Sequence, residues 1–182
     1  MDSVLELYEL YGDGDYIGEK ITQQEHALQA AFLAEKMRPF DREFIIAALL
    51  HDVGHIIPSE LDGHIPEDMN GLGVVNHENR GANYLLKLGF SRKIAYLVAN
   101  HVNAKRYLAG QDASYLEQLS TASRATLNLQ GGPMDASEMA EFESNPWFDD
   151  AILLRHIDDR AKIVGAPTNT LNYYRNIIQQ IA

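Results

Sequence analysis

The stretch Arg42-Glu43-Phe44-Ile45-Ile46-Ala47-Ala48-Leu49-Leu50-His51-Asp52-Val53-Gly54-His55 sets an apolar run, Phe44 to Leu50, directly before an adjacent histidine and aspartate. Asp41 stands where an N-cap is expected, so the pattern predicts a helix ending in His51-Asp52-Val53-Gly54-His55 and giving way to a Pro/Gly/Asp loop through Gly73. Neighbouring helical side chains diverge by about 100°. His51 and Asp52 therefore meet at one ion only if both lean toward a shared pocket, and a short aspartate can also bridge two ions. A core histidine beside a capping or salt-bridged aspartate is the plainer explanation of such a pair taken alone.

Outward from this stretch, apolar residues recur at helical spacing and no segment shows the sustained alternation of a half-buried strand. The chain reads as all-α. A short first helix (Leu5, Leu7, Tyr8, Leu10) runs into the turn-favouring loop Gly12 to Glu19, and Thr22 with Glu25 forms a capping box just before His26. Asn76 is expected to cap a helix that closes at Gly89, Ser91 a helix carrying His101, and a further helix runs from about Asp112 to the Gly131-Gly132-Pro133 break. Asn145-Pro146 opens the helix bearing Asp158, and a final amphipathic helix spans Leu171 to Ile181.

The length of 182 residues with 46% hydrophobic content suits one globular domain over residues 1–182. The chain contains no cysteine, so disulfides and thiolate-bound metals are excluded and any metal must sit on His, carboxylate, Tyr or water. No apolar run is long enough for a membrane span, and Met1 to Tyr11 lacks the basic start and apolar core of a signal peptide, so a soluble cytoplasmic protein is expected. A net charge of −11 opposes binding to nucleic acid or to anionic membranes. Any small anionic ligand would have to be captured by bound metal and a few placed Lys, Arg or His residues.

His26, His77 and His101 each fall on a different predicted helix, and Asp158 lies on another. Helical bundles build metal sites in this way, from side chains on separate helices converging inward. Imidazole and carboxylate without sulfur suit iron, manganese or zinc, and six such ligands exceed the needs of a single ion of moderate coordination number.

The order His26, His51-Asp52, Asp158 resembles the H…HD…D signature of the HD-domain superfamily, an all-α helical bundle, with His77 and His101 as the added ligands of its dinuclear members. More narrowly, Tyr16-Ile17-Gly18-Glu19, Gln24-Glu25-His26, His51-Asp52-Val53-Gly54-His55, Gly73-Val74-Val75-Asn76-His77-Glu78 and His101-Val102-Asn103-Ala104-Lys105-Arg106-Tyr107-Leu108 resemble the HD-domain mixed-valent di-iron oxygenases that cleave 1-hydroxyphosphonates. The resemblance implies two iron ions, Fe(II)/Fe(III), and O2 as co-substrate. His26, His51, Asp52 and Asp158 would hold one iron; His77, His101 and a bridging Asp52 would hold the other. Tyr16 would fill the open position of the second iron until substrate arrives, and Glu19 would then meet the substrate's amine. The implied substrate is a small anionic phosphonate, foremost 2-amino-1-hydroxyethylphosphonate, cleaved to glycine and phosphate, or its trimethylammonium analogue.

Helical neighbours three or four apart share a face. His51 stands over His55, His101 over Lys105, Ser123 over Thr126 and Arg155 over Asp158. Lys105 and Arg155 suit phosphonate oxygens as charged donors, with Ser123 and Thr126 adding hydroxyls. On the residues alone, Lys105 with Arg106 also reads as a solvated helix face, and Arg155 as a structural partner of Asp158 or Asp159. Tyr84, Tyr96, Tyr107 and Trp147 are candidates for cupping a quaternary ammonium. His64 and His156 match no ligand position. The alternative enzyme reading is an HD-domain phosphohydrolase, in which a metal-activated water attacks a phosphate ester, and a non-catalytic helical module that keeps a metal pocket is a third.

Overall fold

The computed structural model describes residues 3–16 and 18–181. Among them the regular structure is helical: α1 (Ser3–Tyr11), α2 (Gln23–Met37), α3 (Arg42–Leu50), a 3-10 turn at Val53–His55, α4 (Ser59–Asp62), α5 (His77–Lys87), α6 (Arg92–Gln111), α7 (Ala113–Gln118), α8 (Thr121–Leu129), α9 (Ala136–Glu143), α10 (Phe148–Arg160) and α11 (Leu171–Ile178). The all-α expectation holds, and among the described residues no helix is long and apolar enough to cross a membrane.

Helix α3 sits at the centre. Every residue from Phe44 to Leu50 is buried, as a helix that is apolar all round requires. Helices α2, α6, α10 and α11 pack around it. Each large apolar side chain so buried contributes about 1.5–3 kcal/mol, which fixes α3 in the core and carries the His51-Asp52 pair inward with it.

The last carbonyls of a helix lack helical partners. At the end of α3 two of them are satisfied by side chains: the Tyr8 hydroxyl donates to the Leu49 carbonyl at 3.0 Å, and the His51 ring Nδ1 lies 2.8 Å from the Ala48 carbonyl.

Several caps follow the sequence closely. Thr22 and Glu25 form the complete capping box, and Asp41 and Ser91 accept from the amides of Phe44 and Ile94. Other expectations need correction. The helix expected to end in His51–His55 stops at Leu50, because Asp52 leaves the helical conformation (φ −101°, ψ 8°) and Val53–His55 form a separate 3-10 turn. Asn76 precedes α5 but has a left-handed backbone and makes no side-chain cap. The single helix expected after Asp112 is two, α7 and α8, because Ser120 starts a new helix by accepting from the Ser123 amide. Helix α9, opened by an Asp135/Glu138 capping box, has no counterpart in the sequence reading. Asn145 accepts from the Trp147 amide in the turn just before α10.

Two close approaches tie the loops to the frame. Glu19 N–H closes a turn onto the Tyr16 carbonyl at 2.9 Å, with Gly18 at φ +75° as its third residue, the position that demands glycine. Gly54 has a different reason to be glycine: a Cβ there would lie 1.9 Å from the His77 carbonyl oxygen. The 3-10 turn therefore packs backbone to backbone on the start of α5. Gly54→Ala must separate these segments, and we expect a cost of about 3 kcal/mol or more, a fall in Tm of roughly 6–12 °C for a chain of this size. Gly63→Ala, in open space but also at positive φ, is the control in the same thermal melt and should lose far less.

Candidate metal centre

Five elements bring the six sequence-proposed ligands to one buried point. His26 comes from the first turns of α2, His51 and Asp52 from the end of α3, His77 from the start of α5, His101 from the middle of α6 and Asp158 from the last turn of α10. All six are buried. His26 Nε2 lies 3.1 Å from His51 Nε2, 3.4 Å from Asp158 Oδ1 and 3.5 Å from Asp52 Oδ2, and His51 Nε2 lies 3.3 Å from the same Asp52 oxygen and 3.9 Å from Asp158 Oδ1. The other Asp52 oxygen, Oδ1, stands 3.4 Å from His77 Nε2 and 3.3 Å from His101 Nε2, themselves 3.1 Å apart. Asp52 thus turns one oxygen to each of two clusters.

The donor set fits metal on its own chemistry. Each of the four rings directs Nδ1 at a backbone carbonyl: His26 at Ala161 (2.8 Å), His51 at Ala48 (2.8 Å), His77 at Val74 (3.2 Å) and His101 at Val98 (2.8 Å). A carbonyl only accepts, so Nδ1 carries the proton and each neutral ring presents an Nε2 lone pair inward. Two facing pairs of lone pairs at 3.1 Å repel unless a cation lies against them. Ligand atoms on one ion with bonds of about 2.0–2.2 Å stand roughly 3–3.6 Å apart, which is the spacing found in both clusters apart from His51 to Asp158. Electrostatics agree. Burial alone would lower the His51 pKa, but Asp52 and Asp158 outweigh it and raise it to about 9: with no ion present these carboxylates draw a proton to His51, and a metal ion would take that proton's place on Nε2. Burial alone would likewise raise the pKa of Asp52 and Asp158, yet the surrounding His51 and Arg155 hold these carboxyls well below the usual range.

His55 also has a nitrogen close to Asp52 and His77, and its ring stacks on His77 with centroids 3.9 Å apart. Its Nδ1, however, accepts from the Val74 amide at 3.1 Å. The proton of the neutral ring is then on Nε2, and burial keeps the ring neutral by pushing its pKa well down. His55 offers a donor, not a ligand lone pair.

A small cavity of about 60 Å³ opens on the cluster, and Tyr16, Glu19, His55, Lys105, Ser123, Thr126 and Arg155 all line it. Tyr16 stacks on His26 (3.9 Å) and its hydroxyl donates to Asp158 Oδ1 at 3.4 Å, so these contacts lie on the His26 half, not on the His77 half to which the resemblance assigns it. Lys105 is buried, not solvated, and donates to Thr126 Oγ1 at 2.9 Å. The Thr126 proton goes to the Ser123 carbonyl (3.0 Å), so this hydroxyl holds Lys105 instead of facing a ligand. Ser123 Oγ accepts from Arg155 and keeps its own proton to give. Tyr84, Tyr96, Tyr107 and Trp147 do not line the cavity. His64 and His156 are exposed and outside it.

Of the lining residues that sequence reasoning missed, two carry polar groups that stand out. Gln130, four residues past Thr126, has a buried Oε1 without a hydrogen-bond partner. Lys162, four past Asp158, approaches Glu19 Oε1 at 3.8 Å and sits 5.7 Å from the Tyr16 ring centre. Their i+4 spacing from proposed site residues was the available signal.

An HD-domain family pattern matches residues 24–164. A protein of Acanthamoeba polyphaga mimivirus is 43% identical over 178 residues, 98% of this chain and 80% of the relative. The hydroxymethylphosphonate dioxygenase of Gimesia maris is 41% identical over 180 residues, 97% and 85% of the two chains. The [1-hydroxy-2-(trimethylamino)ethyl]phosphonate dioxygenase (glycine-betaine-forming) of Leisingera caerulea is 38% identical over 175 residues, 96% and 86%. The chain belongs to the HD-domain family. Within it, the protein falls in the group that includes these two dioxygenases, and its His/Asp cluster is built for metal.

Lys105 gives the pocket a pH signature. Burial, reinforced by nearby Arg155, lowers its pKa to about 7. Its ammonium is present below that value and lost above it, so affinity for sulfate, whose own charge is constant across this range, should fall as pH rises through about 7. Lys105→Arg stays charged. Binding titrations across that window should show a decline in the wild type that is absent in the variant.

Proposed function

We propose that the protein is a di-iron oxygenase that uses O2 to cleave the C–P bond of a 1-hydroxyalkylphosphonate, giving a carboxylate and inorganic phosphate. The observation that carries this reading is Asp52 shared between two imidazole clusters beneath a cation-lined cavity, together with the names of the two dioxygenase relatives. His26, His51, Asp52 and Asp158 would hold one iron, and His77, His101 and Asp52 the other. When bound, a mixed-valent iron pair supplies the redox chemistry that joins dioxygen to the hydroxyl-bearing carbon.

The chain's own residues bind and orient. Lys105, the His55 Nε2–H, the Ser123 hydroxyl and Arg155 converge on the place of the phosphonate oxygens, where charge-assisted hydrogen bonds are about twice as strong as neutral ones. Tyr16, from the turn closed by Glu19, covers the His26 half and excludes water until substrate displaces it. Glu19 Oε1 is a buried acceptor without a hydrogen bond, suited to the N–H of a primary ammonium. A trimethylammonium group has no N–H to give it, and Tyr84, Tyr96, Tyr107 and Trp147, the candidates for cupping such a group, do not line the cavity. The favoured substrate is therefore 2-amino-1-hydroxyethylphosphonate, released as glycine and phosphate.

Iron-loaded protein should release phosphate from this compound only in air, with O2 consumed in step. Release that continued unchanged under strict anaerobiosis would favour metal-dependent hydrolysis and sink the oxygenase reading. Iron content tests the ligand assignment separately: wild type should carry two irons per chain, whereas His26→Gln and His77→Gln, one from each cluster, should each retain about one. Equal loss of all iron in both variants would argue for a single shared ion.

A further inference from the structure

Arg155 was read from the sequence as a cation for substrate, yet most of its donors are committed to the protein. Nη1 donates to Asp158 Oδ2 at 2.8 Å, Nη2 to Ser123 Oγ at 3.0 Å and to Asp159 Oδ1, and Nε to the Tyr115 hydroxyl at 2.9 Å and Asp159 Oδ2 at 3.2 Å. The Tyr115 hydroxyl in turn donates to Asp159 Oδ2 at 2.6 Å. A guanidinium has five N–H donors in a fixed planar fork. Four are placed by these bonds, and the fifth, on Nη1, is left on an arginine that lines the cavity.

The fork is rigid, so partners on its Nε and Nη2 edge dictate where Nη1 points. Asp158 shows what this orientation does: its outer oxygen, Oδ2, is taken by Arg155, while its inner oxygen, Oδ1, faces His26 at 3.4 Å. A carboxylate pinned in this manner offers one oxygen to a metal and cannot swing to chelate with both. Tyr115, on α7, and Asp159, one residue past Asp158 on α10, touch none of the six proposed metal ligands in the bonds described above.

We propose that Tyr115 and Asp159 are positioning residues: by locking the Arg155 fork they hold Asp158 to one inward oxygen and aim one Arg155 N–H at an oxyanion in the cavity. Two properties follow from the one clamp, metal retention and oxyanion affinity. The identities of the metal, iron, and of that oxyanion, a phosphonate, rest on the function proposed above.

The test compares wild type with Asp159→Asn, Tyr115→Phe and Asp159→Glu. Iron affinity is read by chelator competition and oxyanion affinity by binding of inorganic phosphate, with thermal melts alongside. Loss of one charged hydrogen bond is about a tenfold effect or more, so Asp159→Asn should weaken both iron and phosphate binding by about tenfold. Tyr115→Phe keeps its buried ring and should shift both affinities in the same direction by less, with little change in Tm. Asp159→Glu should restore part of each. If Asp159→Asn and Tyr115→Phe lower only Tm, leaving iron and phosphate affinities unchanged, the clamp is merely structural and the proposal falls. It falls equally if the wild type retains neither iron nor phosphate. A wild type that binds both but cleaves no phosphonate would overturn the proposed function and leave the clamp to be judged by the affinities.

Discussion

Two oxygens of one carboxylate, Asp52, face four imidazole nitrogens in the middle of the molecule, two to a side. Burying such a group without compensation costs several kcal/mol, and the surrounding helices are arranged to supply it. Four rings are turned by their outer nitrogens so that every inner lone pair points at the Asp52 and Asp158 oxygens or at another ring. Arg155 neutralises the outer side of Asp158. Helix α3 contributes no charged side chain to the core itself, but its fully buried run from Phe44 to Leu50 fixes the depth at which His51 and Asp52 emerge. A site of this kind cannot be assembled on a surface loop.

Electrostatic sign changes sharply over a short distance. The chain as a whole carries a net charge of −11, yet the cavity above the cluster is bordered by Lys105, Arg155 and Lys162. Lys105 and Arg155 are buried, where charge is less screened than at the surface. Lys105 is held by a hydroxyl of α8, and Arg155 by hydroxyls of α7 and α8 and by carboxylates of its own helix, so capture of an anion depends on local order and not on long-range attraction.

Much of this was legible in the sequence because the signals are local. Thr22 with Glu25, Asp41 and Ser91 announced helix starts that the structure bears out, and the apolar run before His51 located the central helix. Convergence of the six ligands was not legible from spacing, since it depends on how five elements pack; the motif resemblance supplied that expectation. The misses have physical reasons. The box at Asp135 and Glu138 starts a helix with only Phe142 buried, too weak an apolar face to register. Lys162 lies beyond the end of α10, where helical spacing does not fix the direction of a side chain. Thr126 looked like a donor to ligand because a side-chain type does not reveal which backbone carbonyl has already taken its proton.

The outer bonds of the four rings differ in reach. His51, His77 and His101 each turn to the carbonyl three residues back, whereas His26 turns to Ala161, 135 residues away. Three ligands are therefore oriented by their own local backbone, and the cluster of Asp52, His77 and His101 is complete within one contiguous half of the chain. The His26 cluster closes only when the end of α10 docks against α2, a contact of high sequence separation and correspondingly large loop-closure cost. The two clusters share an aspartate but not a folding history: one is a product of short-range order, and the other records that the first and last thirds of the chain have met.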